Sequence, residues 1–200
     1  MKIVVGRTGW HAARLAAWGA VTLLAAASAA VSAAADGAQL ERPAVSVDGN
    51  QARVDLALHG AFDEAFVEQL ESGLPSGFEY DLELLRDHRW FDKTLATSKL
   101  QVVAMYDAAT RGYLVNYKLD GKLVESRMVR ELAEVERAMT RIDALPAFSL
   151  DAYPRSWRLL VRARAAVGSR KVLFFFPARA ITDWRESQKF RSLNDLPDGG

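Results

Sequence analysis

Few residues in this chain have both the type and the spacing for chemistry. Histidine is scarce: of three in 200 residues, only His59 and His88 lie beyond the first thirty-five positions. His59 closes an alternating run before Gly60, and His88 sits between Asp87 and Arg89. A His/Asp/Ser hydrolase could recruit His88, but there is no Gly-x-Ser-x-Gly elbow and no HExxH. Two isolated histidines also lack zinc-ligand spacing, so both are read as turn or solvated residues. Cysteine is absent, which excludes a thiolate metal centre, a cysteine nucleophile and a disulfide scaffold. Neither GxGxxG nor GxxxxGK occurs, so no glycine loop is expected to cradle a phosphate. No catalytic residue, cofactor or metal follows from the sequence.

Carboxylates offer more. Glu79, Asp81 and Glu83 alternate with Phe78, Tyr80, Leu82 and Leu84, so they project from one face of one strand. Same-face neighbours on a strand lie about 6.6 Å apart, too far for one strand alone to build a compact calcium shell. They read either as a docking surface for a basic partner or as a solvated face paired with Arg162 and Arg164 on a neighbouring strand. Exposed cross-strand pairs contribute about 0.2–1 kcal/mol each. Trp90, Phe91, Tyr106, Tyr113 and Tyr117 could form a platform for sugar. Tyr113 and Tyr117 share a strand face with Val115, which favours packing instead. Glycoside chemistry needs two carboxylates across a cleft, and abundant acids do not by themselves identify such a pair.

These residues must be held by a mainly β framework. Val54, Leu56 and Leu58 have strand period, and Phe62, Phe66, Val67 and Leu70 have helical spacing ending near Gly73. A strand follows at 77–86, then RDHRWFDKTLATSK (86–99) as an irregular connection. Leu100–Tyr106, Tyr113–Leu119 and Lys122–Ser126 form a meander, with Asp120-Gly121 as a hairpin turn. Helical spacing returns over 128–144, where Leu132, Val135, Met139 and Ile142 make one stripe that Pro146 closes. A connection over 145–156 leads to an alternating strand at 159–167. The run VLFFFP (172–177) reads as a strand covered on both faces, and Trp184 and Phe190 as two late anchors. The expected fold is an antiparallel β-sandwich with two short helices; the alternative is α+β, with both helices on one face of a single sheet.

The first thirty-five residues read as a secretory signal peptide. Lys2, Arg7 and Arg14 precede an uncharged stretch from Leu15 to Ala35, and both Val31-Ser32-Ala33 and Ala33-Ala34-Ala35 fit a small-x-small cleavage site. An uncleaved inner-membrane anchor is the alternative, since twenty-one uncharged residues can just span about 30 Å. No cysteine follows the apolar core, so a lipid anchor is excluded. Cleavage near Ala35 removes three basic and no acidic residues, so the net charge of +1 becomes −2. That balance gives no electrostatic reason to invoke nucleic acid. The expected organisation is a leader at 1–35, a flexible lead-in at 36–50, one β-rich domain at 51–192 and a mobile tail at 193–200. The domain is large enough to bury one core without staples.

Several segments together resemble a known family. They are VDLALHGAFDEAFVEQLESGLP (54–75), FEYDLELLRDHRWFDK (78–93) and MYDAATRGYLVNY (105–117), followed by RLLVRARAAV (158–167), FFFP and DWRESQKF (183–190). Their order and spacing resemble bacterial domain-of-unknown-function family 4390 over roughly 45–190. The resemblance implies an exported protein with no assigned active site, often encoded beside a membrane sensor kinase of the nitrogen-regulation type. The expected function is a non-catalytic periplasmic module that binds another envelope protein, such as that kinase. The alternative is an envelope hydrolase or glycan-binding protein acting through carboxylates.

Overall fold

The computed structural model describes residues 37–167 and 180–191; the leader, the VLFFFP run and the C-terminal tail lie outside the described residues. In chain order the elements are β1 (Gln39–Leu40), β2 (Ala44–Asp48), β3 (Gln51–His59), α1 (Glu64–Glu71), β4 (Ser76–Arg86), β5 (Lys93–Asp107), β6 (Gly112–Leu119) and β7 (Lys122–Val129). There follow α2 (Leu132–Thr140), β8 (Arg141–Ser149), β9 (Leu159–Val167), β10 (Ala180–Ile181) and β11 (Arg185–Glu186).

Two antiparallel sheets pack together as a β-sandwich. In the smaller, β3 pairs with β1 and β2 and also with β8. In the larger, β5 to β7 form the expected three-stranded meander, β4 extends it beside β5, β9 flanks β4, and β10 and β11 both pair with β9. Asp120-Gly121 makes the β6–β7 turn with both residues at positive φ, 50° and 81°. That conformation matches the twist of the paired strands and favours Asp-Gly over most dipeptides.

Alternation sends Phe78, Tyr80, Leu82 and Leu84 of β4 inward with Val102 of β5, Val115 of β6 and Val161 of β9. Across the core they meet Ala52, Val54, Leu56 and Leu58 of β3. A fully buried side chain of this size contributes about 1.5–3 kcal/mol. Helix α1 starts where the Asp63 carboxylate accepts the Phe66 N–H at 2.8 Å, which satisfies one of the unpaired donors of the first turn. Its Phe66 stacks on Phe78 with centroids 4.8 Å apart. Helix α2 touches β3 and β8 of one sheet and β5 and β6 of the other. Its final carbonyls are satisfied from the large sheet: the Tyr117 hydroxyl donates to Ala138 and the Tyr80 hydroxyl to Met139, both at 2.8 Å.

Four segments differ from expectation. The lead-in at 36–50 contains β1 and β2, which are hydrogen-bonded to β3; two and five residues are too few to display a period. The connection at 86–99 is irregular only over 87–92, because Lys93–Lys99 already pairs with β4. A strand added to an existing sheet gains backbone hydrogen bonds whatever its side-chain pattern, so polar Thr94, Thr97 and Ser98 do not prevent it. The helix expected over 128–144 covers only Leu132–Thr140, since β7 runs to Val129 and β8 starts at Arg141. Strand β8 itself contains Pro146, on an edge strand where proline is tolerated. Register shifts along the β3–β8 pair leave Ile142, Leu145 and Phe148 buried at intervals of three. That spacing continues the helical stripe of Val135 and Met139, so the transition leaves no mark in the pattern.

Candidate functional site

The five residues singled out from sequence meet on the outer face of the large sheet. Register places Asp81 opposite Arg164 and Glu83 opposite Arg162 on β9, and Asp81 opposite Lys99 on β5. The Arg162 guanidinium donates twice to one Glu83 oxygen, at 3.0 and 2.8 Å, and Arg164 donates to Asp81 at 3.0 Å. Lys99 bridges Glu79 at 2.6 Å and Asp81 at 3.1 Å. Gln101 also donates to Glu79, at 2.9 Å, and Thr94 to Glu83, at 3.3 Å. The hydrogen bond to Glu79, then the bond and charge of Asp81, hold the Lys99 ammonium above its ordinary pKa. Charges thus alternate across three strands, and each carboxylate meets a cation within the sheet.

Trp184 adds an aromatic floor. The Arg162 and Arg164 guanidinium carbons lie 4.8 and 4.6 Å from its ring centroid, within cation–π range. Sequence reasoning found Trp184 as an anchor but not what it anchors. It missed Lys99 and Gln101 as members of the strip, although their two-residue spacing beside Leu100 and Val102 carries the signal.

The remaining candidates are dispersed. The His59 imidazole contacts Glu41 at 2.5 Å. Both border an open cleft of about 570 Å³ with Trp184, Arg185 and Glu186; among the described residues no serine, threonine or cysteine lines it. Gly60 keeps the chain close here: its φ is 67°, and a Cβ would fall 2.2 Å from the Gly37 carbonyl oxygen. His88 lies exposed on the β4–β5 turn. Tyr113 and Tyr117 are buried and Tyr106 tilts against Tyr113 at 5.1 Å, so these three serve packing. Trp90 and Phe91 do not; both stand exposed on the turn, away from the tyrosines, and the five aromatics form no common platform. Among the described residues no group of three histidine or carboxylate side chains is arranged to hold a metal ion.

A second surface lies at the far edge of the same sheet. Strand β7 pairs with β6 on one side, and among the described residues no strand pairs with its other side. Every β7 residue except Val129 is exposed, including Leu123 (59%), Val124 (56%) and Met128 (49%). Arg127 folds back onto Glu125 of its own strand at 2.7 Å. A register shift beside Tyr117 and Lys118 interrupts the pairing near Val124.

A two-sheet antiparallel sandwich with an internally paired charge strip and an open edge strand is the class these features define. The chain belongs to the family described as domain of unknown function (DUF4390), whose model matches residues 35–189. No curated protein and no solved structure matches it. Among the described residues, no helix is long and apolar enough to cross a membrane.

Proposed function

We propose that the chain is an exported periplasmic module without catalytic activity, which binds another envelope protein through the open edge of β7. One observation carries this reading: an eight-residue edge strand exposes Leu123, Val124 and Met128 together with a row of backbone groups that no strand among the described residues pairs. Such an edge is a template for an added strand, and a protein that must stay monomeric normally blocks it. The charge strip is the weaker candidate for docking, because its carboxylates already meet Lys99, Arg162 and Arg164. The leader supports export, and the sensory region of a membrane kinase is the partner class that the family resemblance favours.

Photo-crosslinking residues placed at Val124 and Met128 in living cells test the proposal, with exposed Glu68 on α1 as the control position. The expected result is one envelope protein captured from both edge positions, not from Glu68, and lost in Leu123→Lys. No specific adduct at the edge, combined with hydrolysis of an envelope substrate that His59→Ala abolishes, would overturn it in favour of the cleft. N-terminal sequencing of the periplasmic fraction tests export separately, with a mature start near Asp36 expected.

A further inference from the structure

Three tryptophans fall within the described residues, and two of them are covered by guanidinium groups. Trp184 lies beneath Arg162 and Arg164. Trp157 has the Arg86 guanidinium 3.8 Å from its centroid and stacks on Tyr153 at 6.3 Å. Trp90 has no such cover. It is 82% exposed, and its neighbour Phe91 is 79% exposed. Two adjacent large aromatic side chains at the tip of a six-residue turn are not a by-product of folding, since neither contributes to the core.

The surroundings of this tip are basic. Arg86 closes β4 and Lys93 opens β5 directly opposite it, and exposed Arg89 precedes Trp90. The two acids of the turn are both engaged. Asp87 is held by Lys189 at 2.8 Å and by Arg158 at 3.4 Å, and the Lys189 hydrogen bond, with the neighbouring charges, keeps its carboxyl below the usual range. Asp92 accepts the His88 N–H at 3.3 Å. Arg86, Arg89 and Lys93 already outnumber Asp87 and Asp92 in this stretch, and Arg158 and Lys189 add to that positive charge.

An aromatic pair projecting from a positively charged collar is the arrangement that an anionic bilayer surface selects. Tryptophan and phenylalanine partition into the headgroup boundary, and each arginine or lysine nearby adds attraction to anionic lipid. We propose that the Trp90-Phe91 turn is a lipid-contacting tip that seats this end of the sandwich on an anionic phospholipid surface. The inference is independent of the β7 reading, since the tip lies at the β4–β5 turn and β7 at the opposite flank of β6. A domain docked through this tip would keep its β7 edge accessible to a membrane-bound partner.

The test uses the chain from Asp36 onward, which carries every described element, and vesicles of phosphatidylcholine with or without about one quarter phosphatidylglycerol. Cosedimentation is expected with the anionic vesicles at low salt and not with phosphatidylcholine alone. The double variant Trp90→Ala/Phe91→Ala should weaken binding about tenfold or more, and Arg89→Glu/Lys93→Glu should abolish its salt dependence. Quenching of tryptophan fluorescence by brominated lipid should disappear in Trp90→Phe, while Trp157 and Trp184 continue to emit. Unchanged thermal midpoints would show that these exposed-turn variants fold normally. Failure of the parent chain to bind anionic vesicles, equal binding to neutral ones, or undiminished binding by the aromatic double variant would each overturn the proposal.

Discussion

At the centre of the large sheet, Asp81 meets both Arg164 and Lys99, and Glu83 takes two hydrogen bonds from Arg162. At β7 the exposed surface instead mixes the apolar Leu123, Val124 and Met128 with polar side chains, and its ion pair from Arg127 to Glu125 runs within the strand. Both regions belong to one sheet and share one meander. The difference is position. Interior strands have neighbours on both sides, so their outer side chains find cross-strand partners, whereas β7 has one strand neighbour among the described residues and leaves half its backbone groups facing outward. Charge alone is thus a poor guide to a binding surface here, because the most charged face is the one most occupied with itself.

Substitutions can break this contrast at several depths. The largest effect is expected beneath the strip. Tyr80→Ala removes a fully buried ring and should cost about 3–5 kcal/mol, as for other buried aromatic truncations, read from urea unfolding. The equivalent truncation at Val124 should change stability by less than about 0.5 kcal/mol. A similar loss at both positions would mean that the β7 edge is covered.

Next are the two tyrosine hydroxyls that serve α2. Tyr117→Phe leaves the Ala138 carbonyl without its partner and should cost about 1–3 kcal/mol. Burial raises the pKa of Tyr80 and Tyr117 above the ordinary 10.0. In the unfolded chain both ionise near pH 10, while the folded protein keeps them protonated. Their contribution is therefore complete below pH 10 and is lost as pH rises beyond it. Thermal midpoints between pH 8 and 11 should fall at the alkaline end, less steeply in Tyr117→Phe.

Reversal of one strip charge should be milder. Asp81→Lys opposes Arg164 and Lys99 and should cost about 1 kcal/mol, partly restored by adding Arg164→Glu. A double variant no more stable than the single one would show that the pair adds little to the sandwich. The smallest effect on stability belongs to Val124→Lys, within about 0.5 kcal/mol. Loss of crosslinked partner without loss of fold would separate the edge from the strip most cleanly.

Much of this was legible before the coordinates. The alternation of β4 and β9 located Glu79, Asp81, Glu83, Arg162 and Arg164, and with them the pairing seen across the strands. Asp120-Gly121 marked its hairpin because the turn requires positive φ at both positions. What escaped had physical reasons. Lys93–Lys99 is held by backbone pairing to β4, which leaves no apolar period. The passage from α2 into β8 was invisible because Ile142, Leu145 and Phe148 keep a three-residue interval across the register shifts. The exposure of Trp90 and Phe91 could not be read from type, since aromatic residues are ordinarily packed; it follows from the shortness of a turn whose ends are fixed by β4 and β5.

The connections around α2 have a mechanical consequence. Two residues separate the end of β7 at Val129 from the start of the helix at Leu132, and none separates Thr140 from β8 at Arg141. The edge strand, the helix and the far sheet are therefore coupled in series with almost no slack. Tension applied along β7 has no loop in which to dissipate. Beyond the β6–β7 ladder, the two tyrosine hydroxyl bonds at Ala138 and Met139 are what tie this short relay to the large sheet.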